Sequence, residues 1–284
     1  MRRLLVEDLV RVALFEDLGR GGDLTTEAIV DAGREASADI VARAGGTIAG
    51  HDAAHAAFSM LDPRAAYEVR VPDGTAAAAG ECVAVVRGNA RALMTAERTA
   101  LNFLCRLSGI ATATRRLVDA VGEHSVRITC TRKTTPGLRV LEKYAVRCGG
   151  GYNHRFGLDD AALIKDNHIA LAGGVAEAIQ AVLGRVGHMV KVEVEIDTLE
   201  QLRDALAFPI DAVLFDNMTL PILRDAVTVA GGRVLTEASG GITLERIPEI
   251  AATGVDLISV GWITHSAPAL DLGLDVSVKG VSSC

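Results

Sequence analysis

The sequence predicts an α/β protein with an antiparallel sheet near the amino terminus and a parallel, barrel-type sheet in the second half. Six short hydrophobic runs in the second half each end on a polar residue or a glycine. Stretches with helical apolar spacing, such as GGVAEAIQAVLGRV and TLEQLRDALA, lie between these runs. A repeated strand and helix builds a parallel sheet, usually closed into a barrel. Short strands punctuated by turns, as in residues 35–90, favour an antiparallel sheet instead.

The elements follow in chain order. Residues 1–30 predict one helix followed by an acidic, glycine-rich turn, EDLGRGGDLTT, and HDAAHAAFSML (51–61) predicts a helix between the first two strands. Apolar residues recur with helical spacing from 90 to 121. Within this stretch, Ser108-Gly109 predicts a break between two helices. The strand–helix repeat occupies 126–265, and LDLGLDVSVKG predicts one more strand returning to the first domain.

Composition narrows the class of protein. The 284 residues allow one large domain or two smaller ones, and no apolar run approaches the roughly 20 residues of a membrane-spanning helix. Acids at 7, 8, 16 and 17 interrupt the amino-terminal leucines, which favours an amphipathic helix over a signal peptide and predicts a cytoplasmic protein. The five cysteines lack CxxC spacing, which predicts free thiols and no zinc site.

Charge is unevenly distributed along the chain. The net charge is −7 and no long basic run exists, so we expect no nucleic-acid partner. Six cationic or ionisable basic residues nevertheless fall near the predicted strand ends: Arg98, Arg132, Lys133, His154, Arg155 and Lys165. An acidic protein that concentrates such residues in one place is suited to binding an anionic small molecule.

Two loops carry most of these basic residues. TRKTTPG (131–137) leaves a predicted strand end, where Arg132 offers a planar fork for a carboxylate and Lys133 a point charge. A solvated surface loop is the alternative. GGGYNHRFGL (149–158) supplies His154 and Arg155 after a glycine triplet, which also suits a flexible connector. Lys165 lies at the end of the next predicted strand. A lysine at this position is suited to act as a Schiff-base nucleophile or as a charge clamp for an anion.

Glu195 and Asp216 are the predicted catalytic carboxylates. VEVEID alternates, so Glu193 and Glu195 share one face and Glu195 lies nearer the carboxyl end of the strand. Asp216 ends the apolar run AVLFD, although it is also a candidate cap for the helix that follows. Two acids on neighbouring strands suit Mg²⁺, directly or through water, the hydroxyls of a sugar, and a developing oxocarbenium centre.

The loop EASGGIT (237–243) predicts a phosphate site. Ser239, Gly240 and Gly241 precede a predicted helix, whose exposed N–H groups favour a phosphate, and Gly261 after the next strand supplies a second wall. An ordinary turn with a helix cap is the alternative. Earlier in the chain, Arg98 and Arg106 lie on an otherwise apolar helix, where each needs an anion from a nearby acid or from the ligand.

Taken together, these segments closely resemble the quinolinate phosphoribosyltransferase (decarboxylating) family, also called nicotinate-nucleotide pyrophosphorylase (carboxylating). The resemblance covers nearly the whole chain, and its most specific motifs are TRKTTPG, GGGYNHR and KDNH. It implies a type II phosphoribosyltransferase-like subunit, with an amino-terminal α/β sandwich (1–107, joined by 270–284) and an open, incomplete α/β barrel (108–269). It also implies transfer of phosphoribosyl from phosphoribosyl pyrophosphate to quinolinate, with decarboxylation, in NAD biosynthesis.

The resemblance further implies a role for each site residue, in a homodimer or higher oligomer with shared active sites. Arg98 reaches across the interface, while Arg132, Lys133, His154, Arg155 and Lys165 line the quinolinate pocket. Lys133 and Lys165 act in catalysis with Glu195 and Asp216, which contact the ribose and Mg²⁺. The 5-phosphate is held by Ser239, Gly240, Gly241, Val260, Gly261 and Trp262. Trp262 departs from the pattern, since a smaller residue is expected there.

Three other functions fit parts of the pattern. A Schiff-base barrel lyase would use Lys165 as its nucleophile. A non-catalytic sensor would bind the same ligands, although it would have no need of Glu195 and Asp216. A relative acting on another pyridine or on a molybdenum-associated substrate is disfavoured, because the TRKTTPG and NHR segments suit a dicarboxylate.

Overall fold

A computed structural model describes residues 3–277 of the chain. Residues 278–284, which the sequence analysis assigns to the first domain, lie outside the described residues. The chain forms two compact units. The first unit comprises Met1–Arg115, Thr134–Gly150 and Ile263–Cys284, and the second unit comprises Arg116–Lys133 and Gly151–Trp262.

The first unit contains a four-stranded antiparallel sheet with the order β12-β1-β5-β3. Its strands are β1 (Glu35–Ala42), β3 (Ala66–Val69), β5 (Cys82–Asn89) and β12 (Leu272–Ser277). A smaller antiparallel pair is formed by β2 (Gly46–Thr47) and β4 (Ala76–Ala77). The predicted antiparallel sheet is confirmed, as is the returning strand, because β12 pairs with β1.

Four helices lie wholly within the first unit: α1 (Arg3–Leu18), α2 (Leu24–Ile29), α3 (His51–Leu61) and α5 (Arg139–Cys148). α1 is amphipathic as predicted and packs on α3, burying Val6, Val10 and Leu14. The turn predicted for EDLGRGGDLTT is wrong in its last three residues, LTT, because these residues form the start of α2. Asp23 caps that helix by accepting a hydrogen bond from the Thr26 N–H at 2.9 Å, a local side-chain contact that the prediction overlooked.

The predicted helix break at Ser108-Gly109 is wrong, because α4 runs without interruption from Ala90 to Ala120. Gly109 is needed for a close approach rather than for flexibility. A Cβ atom at this position would lie 2.1 Å from the carbonyl oxygen of Pro268. The Ser108 hydroxyl accepts a hydrogen bond from the Ala49 N–H at 3.0 Å. Both residues therefore serve tertiary packing within one continuous helix.

The second unit contains a six-stranded parallel sheet with the order β6-β11-β10-β9-β8-β7. Its strands are β6 (Arg127–Thr129), β7 (Ala162–Ile164), β8 (Val192–Ile196), β9 (Ala212–Asp216), β10 (Leu235–Ser239) and β11 (Leu257–Ser259). All six predicted strands are confirmed. The sheet does not close, since β6 and β7 are its edges.

The connections between these strands are mostly helical. They contain α6 (Asp166–Ala172), α7 (Val175–Leu183), α8 (Leu199–Ala205), α9 (Leu220–Ala230), a 3₁₀ turn (Leu244–Arg246) and α10 (Ile247–Ala251), and α11 (Trp262–His265) follows β11. Alternation along β8 buries Val192, Val194 and Ile196, while α8 packs against this strand. Glu193 and Glu195 point to the other face, as the VEVEI pattern predicts.

Two further expectations concern the chain as a whole. Cys82, Cys105, Cys130 and Cys148 are free thiols, as predicted, and Cys284 lies outside the described residues. Within residues 3–277 no helix is both long enough and apolar enough to cross a membrane.

Candidate active site

A cavity of about 250 Å³ lies within the second unit, at the carboxyl ends of its parallel strands. We call it the charged pocket. Its lining residues are Thr131, Arg132, Lys133, His154, Arg155, Leu163, Lys165, Glu195, Leu214, Asp216, Glu237, Ser239 and Ser259. Eight of the predicted site residues are therefore brought together: the five basic side chains from 132 to 165, both predicted carboxylates, and Ser239.

Strand register explains why the acids of the pocket converge. Glu195 of β8 lies beside Leu214 of β9, which in turn lies beside Glu237 of β10. Two residues closer to the carboxyl ends of the strands, Asp216 of β9 lies beside Ser239 of β10. Because side chains alternate along each strand, residues two apart on neighbouring strands face the same cavity. The pocket is thus lined by successive rows of polar side chains on one face of the sheet.

Lys165 and Glu195 form an ion pair across β7 and β8. The Lys165 Nζ donates to Glu195 Oε2 at 2.9 Å. Glu195 is only 8% exposed, so its carboxylate depends on this ammonium group for compensation. The Lys165 backbone N–H donates to His168 Nδ1 at 2.9 Å, which anchors the residue at the start of α6. The ion pair thus directs the Lys165 side chain to a carboxylate that lines the charged pocket.

Arg132 and Arg155 bring two guanidinium groups into the same cavity. Burial, and next the charge of Arg132, lowers the pKa of Arg155. Arg155 Nη1 donates to the Ala161 carbonyl at 2.8 Å. The Arg132 Nε is buried and has no hydrogen-bond partner. A buried guanidinium donor without an acceptor is costly, so this part of the pocket is suited to an anion.

Both ring nitrogens of His154 face protein groups. Nε2 lies 2.9 Å from Glu193 Oε2 and 3.7 Å from Glu237 Oε1. Nδ1 accepts a hydrogen bond from the Arg155 backbone N–H at 2.7 Å. Because Nδ1 is an acceptor, the ring carries a proton on Nε2, directed at Glu193. This contact fixes the imidazole at the floor of the charged pocket.

Glu237 is the ionisable lining residue that sequence reasoning missed. It is 1% exposed, and its Oε1 has no hydrogen-bond partner. Burial, reinforced by the negative charge of Glu193, raises the pKa of Glu237 to about 7. A signal was present in the sequence, because Glu237 interrupts the run VLTEA two residues before Ser239 and must share its face.

Asp216 does not cap the helix that follows it, so that alternative is wrong. The residue at the amino-terminal cap of α9 is Thr219, and Asp216 lies three residues earlier, at the end of β9. Its Oδ2 accepts a hydrogen bond from Asn217 Nδ2 at 2.6 Å. Asp216 is therefore left to face the charged pocket.

The Ser-Gly-Gly segment is a tight turn between β10 and the helical segment that follows it. Gly240 has a φ of +91°, and a Cβ there would lie 2.2 Å from Asn217 Oδ1. The predicted helix TLERIPEIA is confirmed: Thr243 is at its amino-terminal cap, and the 3₁₀ turn Leu244–Arg246 continues directly into α10 (Ile247–Ala251). Glycine is required here because two strand-end loops approach closely.

The remaining predicted residues lie outside the lining of the charged pocket. Gly241 follows Gly240 in the same turn, and the Val260 N–H already donates to the Thr129 carbonyl at 2.9 Å. Gly261 precedes Trp262, whose indole N–H donates to the Ile242 carbonyl at 3.0 Å. The large ring at 262 thus supports the loop after β10. Arg98 belongs to the first unit, where it is exposed on α4.

Comparison with known proteins gives matches over almost the entire chain. A model described as the quinolinate phosphoribosyl transferase C-terminal domain matches residues 110–275, and the corresponding N-terminal domain matches 23–108. A probable nicotinate-nucleotide pyrophosphorylase [carboxylating] of Bacillus subtilis is 45% identical over 282 residues, covering 99% of this chain and 97% of the relative. The nicotinate-nucleotide pyrophosphorylase [carboxylating] of Mycobacterium leprae is 46% identical, covering 95% and 96%.

A solved structure is similar over the same length. The nicotinate-nucleotide pyrophosphorylase from Francisella tularensis superposes with a TM-score of 0.93 at 40% identity. The match covers 98% of this chain and 98% of that one. Both units of the present chain are therefore included in the similarity.

Proposed function

The chain belongs to the quinolinate phosphoribosyltransferase family, and from this premise we propose that the charged pocket is its active site. The enzyme is a pentosyltransferase of NAD biosynthesis. It transfers phosphoribosyl from phosphoribosyl pyrophosphate to quinolinate and removes one carboxylate as CO₂, giving nicotinate mononucleotide and pyrophosphate. The observation that carries the proposal is the convergence of five basic side chains and two predicted carboxylates on one cavity.

Quinolinate is a dianion, and the basic wall of the pocket suits it. The unpartnered Nε of Arg132 and the guanidinium of Arg155 offer forks for carboxylates, with Lys133, His154 and Lys165 around them. A hydrogen bond to a charged group contributes about 1.5–3 kcal/mol. Binding the ring in this wall orients its nitrogen toward the ribose, which we place beside Glu195 and Asp216.

Glu195 and Asp216 also fit a divalent cation. Each presents carboxylate oxygens to the cavity, the ligand type that Mg²⁺ prefers, and they lie on adjacent strands. When bound, Mg²⁺ would neutralise charge on the pyrophosphate. As the ring nitrogen attacks C1 and pyrophosphate leaves, Glu195 stabilises the positive ribosyl centre. Alkylation then leaves the nitrogen positive, so the ring can accept the electron pair released by decarboxylation.

The 5-phosphate of the ribose is placed at the loops after β10 and β11. Ser239 lines the cavity, and the turn at Gly240-Gly241 brings backbone close to it. Val260, Gly261 and Trp262 form the second loop, which Trp262 joins to Ile242. Small residues and fixed backbone at the last strands of a barrel are a common phosphate site.

We further propose a homodimer in which Arg98 of one subunit completes the pocket of the other. The support is that Arg98 is exposed and does not line the charged pocket of its own chain. In this proposal residues 1–107 with 270–284 form one domain and 108–269 the other, consistent with family models that meet between 108 and 110. The cytoplasm is the expected location.

Subunit exchange tests the shared site. Arg98→Ala and Arg155→Ala dimers should each be inactive and should regain up to about a quarter of the wild-type rate when mixed, because one hybrid site keeps both arginines. Mixing each variant with itself is the control. An exchanged mixture that regains no activity would contradict the shared site.

The Schiff-base alternative is disfavoured by one contact, since Lys165 is held as an ammonium group against Glu195 at 2.9 Å. Borohydride should therefore trap no carbonyl substrate on Lys165.

The direct assay incubates the enzyme with quinolinate, phosphoribosyl pyrophosphate and Mg²⁺ and measures nicotinate mononucleotide and CO₂. Lys165→Met should lower kcat/KM for quinolinate by about 10- to 150-fold, from the loss of a charge-assisted hydrogen bond, with the fold retained. Equal turnover by Lys165→Met would contradict this assignment.

A further inference from the structure

The reaction consumes one proton, and its donor is a separate question from substrate binding. When CO₂ leaves, the electron pair of the broken carbon–carbon bond stays on the ring carbon next to nitrogen. The product carries hydrogen at that carbon, so an acid must supply one proton in each turnover. The following inference rests on the family activity and on the charged pocket as its site.

Most ionisable groups of the charged pocket are committed to other contacts. Glu195 accepts from Lys165, and Asp216 accepts from Asn217. The arginines and lysines are cations that a dianionic substrate requires. His154 directs its Nε2 toward Glu193 and its Nδ1 accepts a backbone N–H. Among the described lining residues, Glu237 is the carboxyl group with a buried oxygen that has no hydrogen-bond partner.

Its surroundings favour the protonated form of Glu237. An ionised carboxylate with an unpartnered, buried oxygen is unfavourable, and Glu193, anchored to the same imidazole, adds a second negative charge nearby. His154 and the Ser259 hydroxyl oppose this effect, but desolvation by burial is larger. The pKa of Glu237 is accordingly raised to about 7. A carboxylic acid of this kind is suited to general acid catalysis near neutral pH.

A route for replacing the proton lies behind the same residue. A second cavity of about 680 Å³ opens at the amino ends of the strands, and we call it the amino-end cavity. Exposed residues such as Arg127, Lys191 and Arg233 line its mouth. His154, Arg155 and Glu237 line both this cavity and the charged pocket. Glu237, itself 1% exposed, therefore lies between the charged pocket and a cavity that opens to solvent.

We propose that the carboxylic acid of Glu237 donates the proton that replaces the carboxylate of the substrate. The carbon–carbon bond breaks, CO₂ leaves, and the ring carbon takes the hydrogen of the Glu237 O–H. The resulting Glu237 carboxylate then takes a proton from water in the amino-end cavity. Atoms and charge balance with one proton consumed and no redox partner. Protonated Glu237 also avoids repelling a dianionic substrate during binding.

A single-turnover experiment on Glu237→Gln separates the two chemical steps. Glutamine keeps the volume and neutrality of the protonated acid but has no transferable acidic proton. With quinolinate, phosphoribosyl pyrophosphate and Mg²⁺, we expect pyrophosphate release within about threefold of wild type. Formation of nicotinate mononucleotide should slow at least about 100-fold, within the range of general acid catalysis, and the dicarboxylate nucleotide should accumulate. Glu200→Gln, an exposed change on α8, is the matched control.

Other outcomes would overturn the proposal. Nicotinate mononucleotide formed at the wild-type rate by Glu237→Gln would exclude Glu237 as donor. Parallel loss of pyrophosphate release and product in a folded variant would place Glu237 in an earlier step. If Glu237→Gln does not fold, Glu237→Asp should show the same separation of steps, because it withdraws the carboxyl by one methylene, and equal rates would refute the proposal. Wild-type enzyme that releases no pyrophosphate from phosphoribosyl pyrophosphate in the presence of quinolinate would remove the proposed function and this inference with it.

Discussion

Glu142 of the first unit and Glu237 of the second are both buried acids, but they differ in how many hydrogen bonds their carboxyl groups receive. Glu142 is 0% exposed and accepts hydrogen bonds from Arg106 Nη2 at 2.8 Å, the Thr135 N–H at 2.9 Å and the Thr135 hydroxyl at 2.8 Å. The guanidinium of Arg106 also donates to the backbone carbonyls of Ala267 and Thr264, which belong to the same unit. Glu237, at 1% exposed, has an oxygen that no hydrogen bond satisfies, with His154 Nε2 3.7 Å away.

The difference distinguishes structural charge from functional charge. A fully bonded ion pair fixes packing and has no capacity left for a ligand. The charged pocket instead retains an unpartnered Glu237 oxygen and an unpartnered Arg132 Nε. Each is a cost to folding that a substrate or a proton can relieve. We therefore expect changes in the first cluster to lower stability and changes in the second to alter binding and catalysis.

The largest effect is expected at the satisfied pair. Glu142→Leu leaves the partly buried guanidinium of Arg106 without its anion and removes the acceptor of the Thr135 N–H and hydroxyl, which should lower the free energy of unfolding by about 3–5 kcal/mol. Urea unfolding measures the change, with Glu200→Gln as an exposed control. Unchanged stability of Glu142→Leu would remove the structural half of the comparison.

A smaller, pH-dependent effect is expected at Glu237. Its folded pKa is raised from 4.5 to about 7, mainly by burial. The folded state therefore holds this proton more tightly than the unfolded state, so the stabilisation is complete below pH 4.5 and is lost as pH rises to about 7. Above that pH, Glu237→Gln should be more stable than wild type by up to about 3 kcal/mol, and at pH 4 the two should be similar. Parallel thermal melts at pH 4 and pH 8 test this, and a constant difference would contradict it.

Much of the fold was predictable because local patterns report burial. The alternation of VEVEI and the polar ends of six apolar runs identify the parallel strands and the edge where the site forms. The helix break at Ser108-Gly109 was predicted wrongly because glycine reads locally as a breaker. Its actual cause, the approach of Pro268, is 159 positions away in sequence, as 268 − 109 gives.

The sequence allowed the types and positions of most site residues to be predicted, but not which of these residues contact one another. Strand-end position identified Lys165, Glu195 and Asp216, whereas their pairing depends on strand order, which the sequence does not display. Glu237 was missed because it lies two residues before its strand ends. The contacts of His154 with Glu193 and Glu237 likewise require the register of β8 and β10. Long-range neighbours decide which groups remain unpartnered.

The most direct test of the central claim is the thermal shift produced by quinolinate alone. The account predicts that quinolinate raises the melting temperature of the wild type, because a ligand that binds only the folded state stabilises it. Without ligand, Arg132→Met should be at least as stable as the wild type, but it should lose about 1.5–3 kcal/mol of binding, so its shift should nearly disappear. An equal shift in both proteins would contradict the claim that unpartnered charge in this pocket binds the substrate.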